Sequence, residues 1–169
     1  VSLRYVYEKR ADRRRAARYR AARPYEQFTP FNFMIRRATF QSIRFDERIT
    51  EYGHEDTLFG IELGKRNANV LHRDTPLRHV GLENNELFLE KTRAALRNLA
   101  VMEEAMQGHS SLLNAYRLLR GVGIDRFMVW WFARKEQSLV EHLTKENPLI
   151  LLFFIYKLGY YCKLKTCTN

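Results

Sequence analysis

From Asn84 onward the apolar positions recur at helical spacing. Leu89, Leu96, Leu99, Met102 and Met106 fall on one face, with Lys91, Arg93, Arg97, Glu103 and Glu104 between them, which predicts an amphipathic helix ended by Gly108. Ser110 or Ser111 caps the next, which carries Leu112, Leu113, Tyr116 and Leu119 until Gly121 and Gly123 break it. Asp125 starts a third, with Phe127, Met128, Trp131, Phe132, Leu139, Val140 and Leu143. Pro148 opens a last apolar segment through Tyr156, followed by Lys157, Lys163 and Lys165. Aromatics beside lysines suit either a membrane interface or packing against the domain.

The first half reads differently. Leu3, Tyr5 and Tyr7 alternate, predicting a short strand before an arginine-rich and alanine-rich run to Arg23 that is a helix or an arm. Phe31 to Ile35 is apolar on both faces and predicts a buried strand; Val70-Leu71-His72 predicts another. Thr39 can cap a short helical turn with Phe40 and Ile43. Between the two later strands, a helix beginning near Asp56 carries Leu58, Phe59 and Leu63 and stops at Asn67 and Asn69. Two or three strands make no comfortable sheet by themselves. The pattern therefore predicts an α/β fold whose strand-rich portion lies upstream of Val1.

Composition adds a charge asymmetry. The 169 residues carry a formal charge of +10, enough chain for one domain with a core. Residues 1–23 hold nine Lys/Arg against Glu8 and Asp12, so the positive field comes mostly from this arm. Cys162 and Cys167 form no disulfide framework and no four-ligand zinc pattern, and a reducing compartment fits. The longest apolar run, Leu149 to Tyr156, is far short of the roughly 20 residues that span a bilayer.

Candidate chemistry centres on Tyr52-Gly53-His54-Glu55-Asp56-Thr57-Leu58-Phe59-Gly60. Gly53 permits a turn with positive φ, and Asp56 or Thr57 can cap the helix that follows. Acids are favoured there by the helix dipole. A carboxylate fixed at such a junction can act as a general base; the plain alternative is that Glu55 and Asp56 only cap. Asp46 and Glu47 add two acids upstream, read first as surface turn residues. His72, Asp74 and His79 are ordinary metal-ligand types, but their spacing matches no specific zinc motif.

Four blocks carry a resemblance: Asn32-Phe33-Met34-Ile35-Arg36-Arg37, Phe45-Asp46-Glu47, Tyr52 to Gly60, and Pro76-Leu77-Arg78-His79-Val80-Gly81-Leu82-Glu83. In order and spacing they are similar to the second half of a bacterial family 2 glycosyltransferase, of the type found in gene clusters for polysaccharides and cell-surface glycans. The resemblance implies a partial GT-A fold over residues 1–83, with residues 1–23 as a basic arm or loop, and a helical extension over 84–169. It implies transfer of a sugar from a nucleotide-sugar donor to a hydroxyl of a glycan or lipid-linked acceptor, with inversion. Asp56 would be the base, Glu55 would orient the acceptor or the helix start, and Asn32 and His54 would contact substrate. Arg13, Arg14 and Arg15 would meet the donor diphosphate, and His79 would stand near a divalent metal, Mn2+ or Mg2+, with His72 as a weaker candidate. A cytoplasmic enzyme, peripheral to the inner membrane face, would follow. The family's Asp-x-Asp metal motif does not occur in these 169 residues, so the resemblance covers the acceptor half alone and the isolated chain is expected to be inactive.

The chemistry fits those residue types. Inverting sugar transfer needs a base on the acceptor side and positive charge on the leaving diphosphate. A glycosidase needs two carboxyls straddling the bond, roughly 5 to 9.5 Å apart, which neighbours in one helical turn cannot do. The competing expectation is a non-catalytic basic module whose residues 1–23 grip RNA or an anionic membrane surface. Nucleic acid is the less favoured partner, since no recognition motif accompanies the arm.

Overall fold

The computed structural model describes residues 1–26, 28–47, 49, 51–77 and 80–167, with Arg13 by its backbone alone. Its elements are α1 (Leu3–Arg15), α2 (Ala17–Ala22), α3 (Arg37–Ser42), α4 (Glu55–Lys65), α5 (Asn85–Val101), α6 (Ser111–Gly121), α7 (Asp125–Thr144) and α8 (Ile150–Cys167). No strand occurs among the described residues. The expected α/β fold with a partial GT-A sheet is therefore wrong for this chain, which is all-helical.

The central helix is α8. It packs along α7 and also meets α5, α6 and α1, and its Phe153, Tyr156, Tyr161 and Cys162 are buried. The α7–α8 approach depends on Gly159, where any Cβ would collide with the Phe132 ring. One half of the core joins Leu3, Phe88, Leu89, Phe132, Leu143, Phe153 and Tyr156 across α1, α5, α7 and α8. The other half joins Leu96, Leu99, Met106, Leu113, Tyr116 and Tyr161, with Leu58 and Ile61 of α4 packed against it. The apolar C-terminal segment thus takes the packing option. Lys163 pairs with Glu136 and Lys165 with Glu103, at 2.6 and 2.9 Å.

Each expected strand has a physical reason to be absent. Leu3 and Tyr7 are four apart, so the alternation Leu3-Tyr5-Tyr7 also satisfies a helix. Leu3 is buried, Tyr7 meets the Phe88 and Phe153 rings at 5.8 and 5.5 Å, and Tyr5 faces outward. Ser2 caps this helix by accepting from the Tyr5 amide. Phe31 to Ile35 finds no ladder partner; Phe31 is 73% and Met34 101% exposed, while Phe33 packs edge-on to Phe28. Val70-Leu71-His72 is likewise irregular chain. These loops wrap Phe59, which with Ile43 and Leu63 forms a separate small apolar cluster and stacks on Phe45 at 4.4 Å.

The three helices expected downstream of Asn84 are present, and of the two serines offered as a cap it is Ser110 that serves. Asn84 accepts from the Leu87 amide, Ser110 caps α6, and Asp125 opens α7. The first of them ends earlier than Gly108, at Val101, and continues as turns.

Candidate active site

The turn before α4 is braced from several sides. Asn98 Nδ2 on α5 donates to the carbonyls of Glu51, Tyr52 and Gly53, at 2.9, 3.3 and 3.2 Å. Arg97, the neighbouring α5 residue, holds the Glu51 carboxylate through Nε and Nη2, at 3.0 and 2.8 Å. Lys91 lies over the Tyr52 ring, 5.4 Å from its centre. Gly53, at φ 110°, lies against Ala95 with no room for a Cβ. His54 then takes φ 74°, a left-handed conformation that costs a non-glycine residue about 1–2 kcal/mol. The surrounding contacts hold it there.

The two acids divide their work. Glu55 reaches back, its Oε2 accepting from the Gly53 amide at 2.9 Å, so it braces the turn. Asp56 is half-buried; its Oδ1 accepts from the Thr57 amide at 2.6 Å and from Thr57 Oγ1 at 3.2 Å. Its other oxygen has no partner among the described residues. Neither acid is the N-cap: that position is His54, without a side-chain cap bond. Both carboxylates nonetheless lie in the first turn, where the helix dipole favours negative charge.

His54 and Lys157 give the surroundings their electrostatics. Burial holds the His54 imidazole below its ordinary 6.5, and the Lys157 cation pushes the same way against Asp56 and Glu55. Burial lowers the Lys157 amine to about 8. Its Nζ lies 4.8 to 5.1 Å from the ring centres of Phe154, Phe153 and Tyr7, and ring faces attract a cation and offset part of that cost. No signal in the sequence marks Lys157, which follows an apolar run, or Asn98, one polar residue among many on α5.

The remaining expected site residues are not gathered here. Asn32 Nδ2 bridges to Thr75 Oγ1 and to the Thr75 carbonyl, at 3.3 and 3.4 Å, which ties two loops together. Arg15 is paired with Glu8 on its own helix, and Arg14 is exposed on α1. The Arg13 side chain and His79 lie outside the described residues. His72 is held by the Pro24 carbonyl at 2.9 Å and by Arg20 at 3.3 Å, and Asp74 accepts from the Ala17 amide at 2.7 Å. Both are structural links between α2 and the 70s loop. Among the described residues no three His, Cys, Asp or Glu side chains stand together as a metal-ligand group.

No family model, no curated protein and no solved structure matches the chain. With no strand among the described residues either, the resemblance to family 2 glycosyltransferases is overturned. Among the described residues no helix is long and apolar enough to cross a membrane.

Proposed function

We propose that the chain acts in transfer to a hydroxyl acceptor, with Asp56 taking the acceptor proton and a nucleotide-sugar as donor. One observation carries this reading. A braced, strained turn presents a half-buried carboxylate that is fixed through one oxygen and leaves the other without a partner among the described residues. A general base needs that combination of fixed position and available lone pair. The neighbouring His54 imidazole is held below its ordinary 6.5, chiefly by burial, so a hydroxyl approaching Asp56 has a neutral ring beside it. The leaving diphosphate would be met by the basic side chains in which the chain is rich. A glycan or lipid-linked acceptor at the cytoplasmic face of a membrane is the setting we infer for it.

The competing reading, a basic module gripping RNA or an anionic membrane through residues 1–23, has less support. Arg4 pairs with Glu8 and Glu83, Lys9 with Asp12, and Arg23 with Glu26. Arg20 Nη2 donates to the Arg73 carbonyl at 2.7 Å, and Arg10 and Arg18 lie over the Phe154 and Tyr19 rings. Most of the arm's charge is thus engaged within the chain. Incubating the purified chain with a panel of nucleotide-sugars and hydroxyl acceptors, and reading glycosylated product by mass, tests the first reading. Product formed by the wild type and lost in Asp56→Asn supports it. Product formed equally by both excludes Asp56 as the base, and steep, salt-dependent RNA binding with no transfer would favour the second reading.

A further inference from the structure

The α6–α7 elbow carries an outward-facing apolar patch. Leu118 near the end of α6, Val122 and Ile124 in the connection, and Phe127 and Trp130 at the start of α7 are all exposed. Phe127 is 59% and Trp130 50% open to solvent, although aromatic rings of this size are normally largely covered. The two stand three residues apart on one helix face, and their rings stack with centres 5.5 Å apart and 26° between planes. Arg134, one turn further, lies over Trp130 at 4.0 Å and donates to its carbonyl.

The rim of the patch is basic. Arg120 and Arg126 are exposed and have no carboxylate partner among the described residues. Of the acids nearby, Asp125 lies in the first turn of α7 and Glu136 is drawn to Lys163 on α8. Beside the rings, a cavity of about 330 Å³ is lined by Phe127, Met128, Trp131 and Ile155, an almost wholly apolar recess at the surface.

We propose that this elbow docks on an anionic phospholipid bilayer, with Phe127 and Trp130 entering the interface and Arg120, Arg126 and Arg134 meeting lipid phosphates. Exposed aromatics ringed by arginines match the two layers of such a surface, apolar below and negative above. With no described helix able to cross a membrane, the contact is interfacial. A second copy of the chain fits poorly, because a two-fold contact would set the same basic rims against each other. RNA fits less well, since the Phe127 and Trp130 rings stack on each other and Arg134 covers Trp130, and the rest of the patch is aliphatic. The proposal is independent of any role for Asp56.

The test is sedimentation of the full chain with phosphatidylcholine vesicles, with and without phosphatidylglycerol, alongside tryptophan emission. The expected result is binding to the anionic vesicles with a blue shift. Phe127→Ser and the pair Arg120→Glu/Arg126→Glu should each weaken binding by about tenfold or more, with melting unchanged because these side chains are exposed. Equal binding to neutral vesicles, no binding to either, or binding unaffected by these variants would overturn it. Concentration-dependent dimerisation that buries Trp130, or RNA binding lost with the same variants, would assign the patch to another partner and equally overturn it.

Discussion

Asn98 Nδ2 lies 3.2 Å from the Gly53 carbonyl oxygen. A helix of the bundle thereby holds the turn that presents Asp56. The same amide reaches the Glu51 and Tyr52 carbonyls, so its two N–H donors are shared among three backbone groups. Asn98→Leu leaves them without that donor and should destabilise the fold by about 1–3 kcal/mol, measured by urea unfolding. Transfer activity should fall more than stability does, because Asp56 loses its fixed position. Unchanged unfolding would show that the turn is held by Arg97 and Ala95 alone.

Asn85 plays a comparable part at the other end of α5. Its Oδ1 accepts from the Leu3 amide at 2.7 Å, and its Nδ2 donates to the carbonyls of Thr144 and Lys145. The starts of α1 and α5 and the end of α7 meet on this one buried amide. Asn85→Ala should cost about 2 kcal/mol or more, by the desolvation cost of buried groups left unpaired, with hydrogen exchange rising first at the Leu3 amide.

Gly159 sets the closeness of α7 and α8. Gly159→Ala would drive a methyl into the Phe132 ring. Overpacking of this kind costs about 1–3 kcal/mol, against the roughly 1 kcal/mol that alanine gains over glycine in a helix. A net loss of stability is expected by thermal melting, and it should be recovered in the double variant Gly159→Ala/Phe132→Leu.

The pH dependence follows from His54. Its folded-state imidazole is held below the ordinary 6.5, chiefly by burial. As pH falls through 6.5 the unfolded chain takes up the proton first, so stability intact above that pH declines below it. Urea midpoints measured from about pH 7.5 to about 5.5 should fall, and His54→Gln should flatten the decline over that window.

Much of the second half was legible because amphipathic helices packing on one another impose the 3.6 period directly. The second of these helices starts after one of the two serines offered as its cap, and the third starts at Asp125. In the first half the helix near Asp56 and the turn at Phe40 were legible, but the start of the chain was not, since Leu3 and Tyr7 fit two periods and only tertiary contacts with Phe88 and Phe153 choose between them. Phe31 to Met34 looked like core and is largely exposed. The turn at Gly53 and the acids after it were readable as local chemistry. The brace was not, because Asn98 reaches carbonyls more than forty residues away, and sequence does not show which amide turns inward. His54 taking the left-handed position beside a glycine was also not readable.

The most direct measurement is the rate of transfer to a hydroxyl acceptor in the wild type, Asp56→Asn and Glu55→Gln, with melting curves for all three. If Asp56 is the base, Asp56→Asn loses about 10²–10⁴ in rate while melting near the wild type. Glu55→Gln, which disturbs the brace and not the base, loses less rate and more stability. Equal rates for Asp56→Asn and the wild type would contradict the assignment.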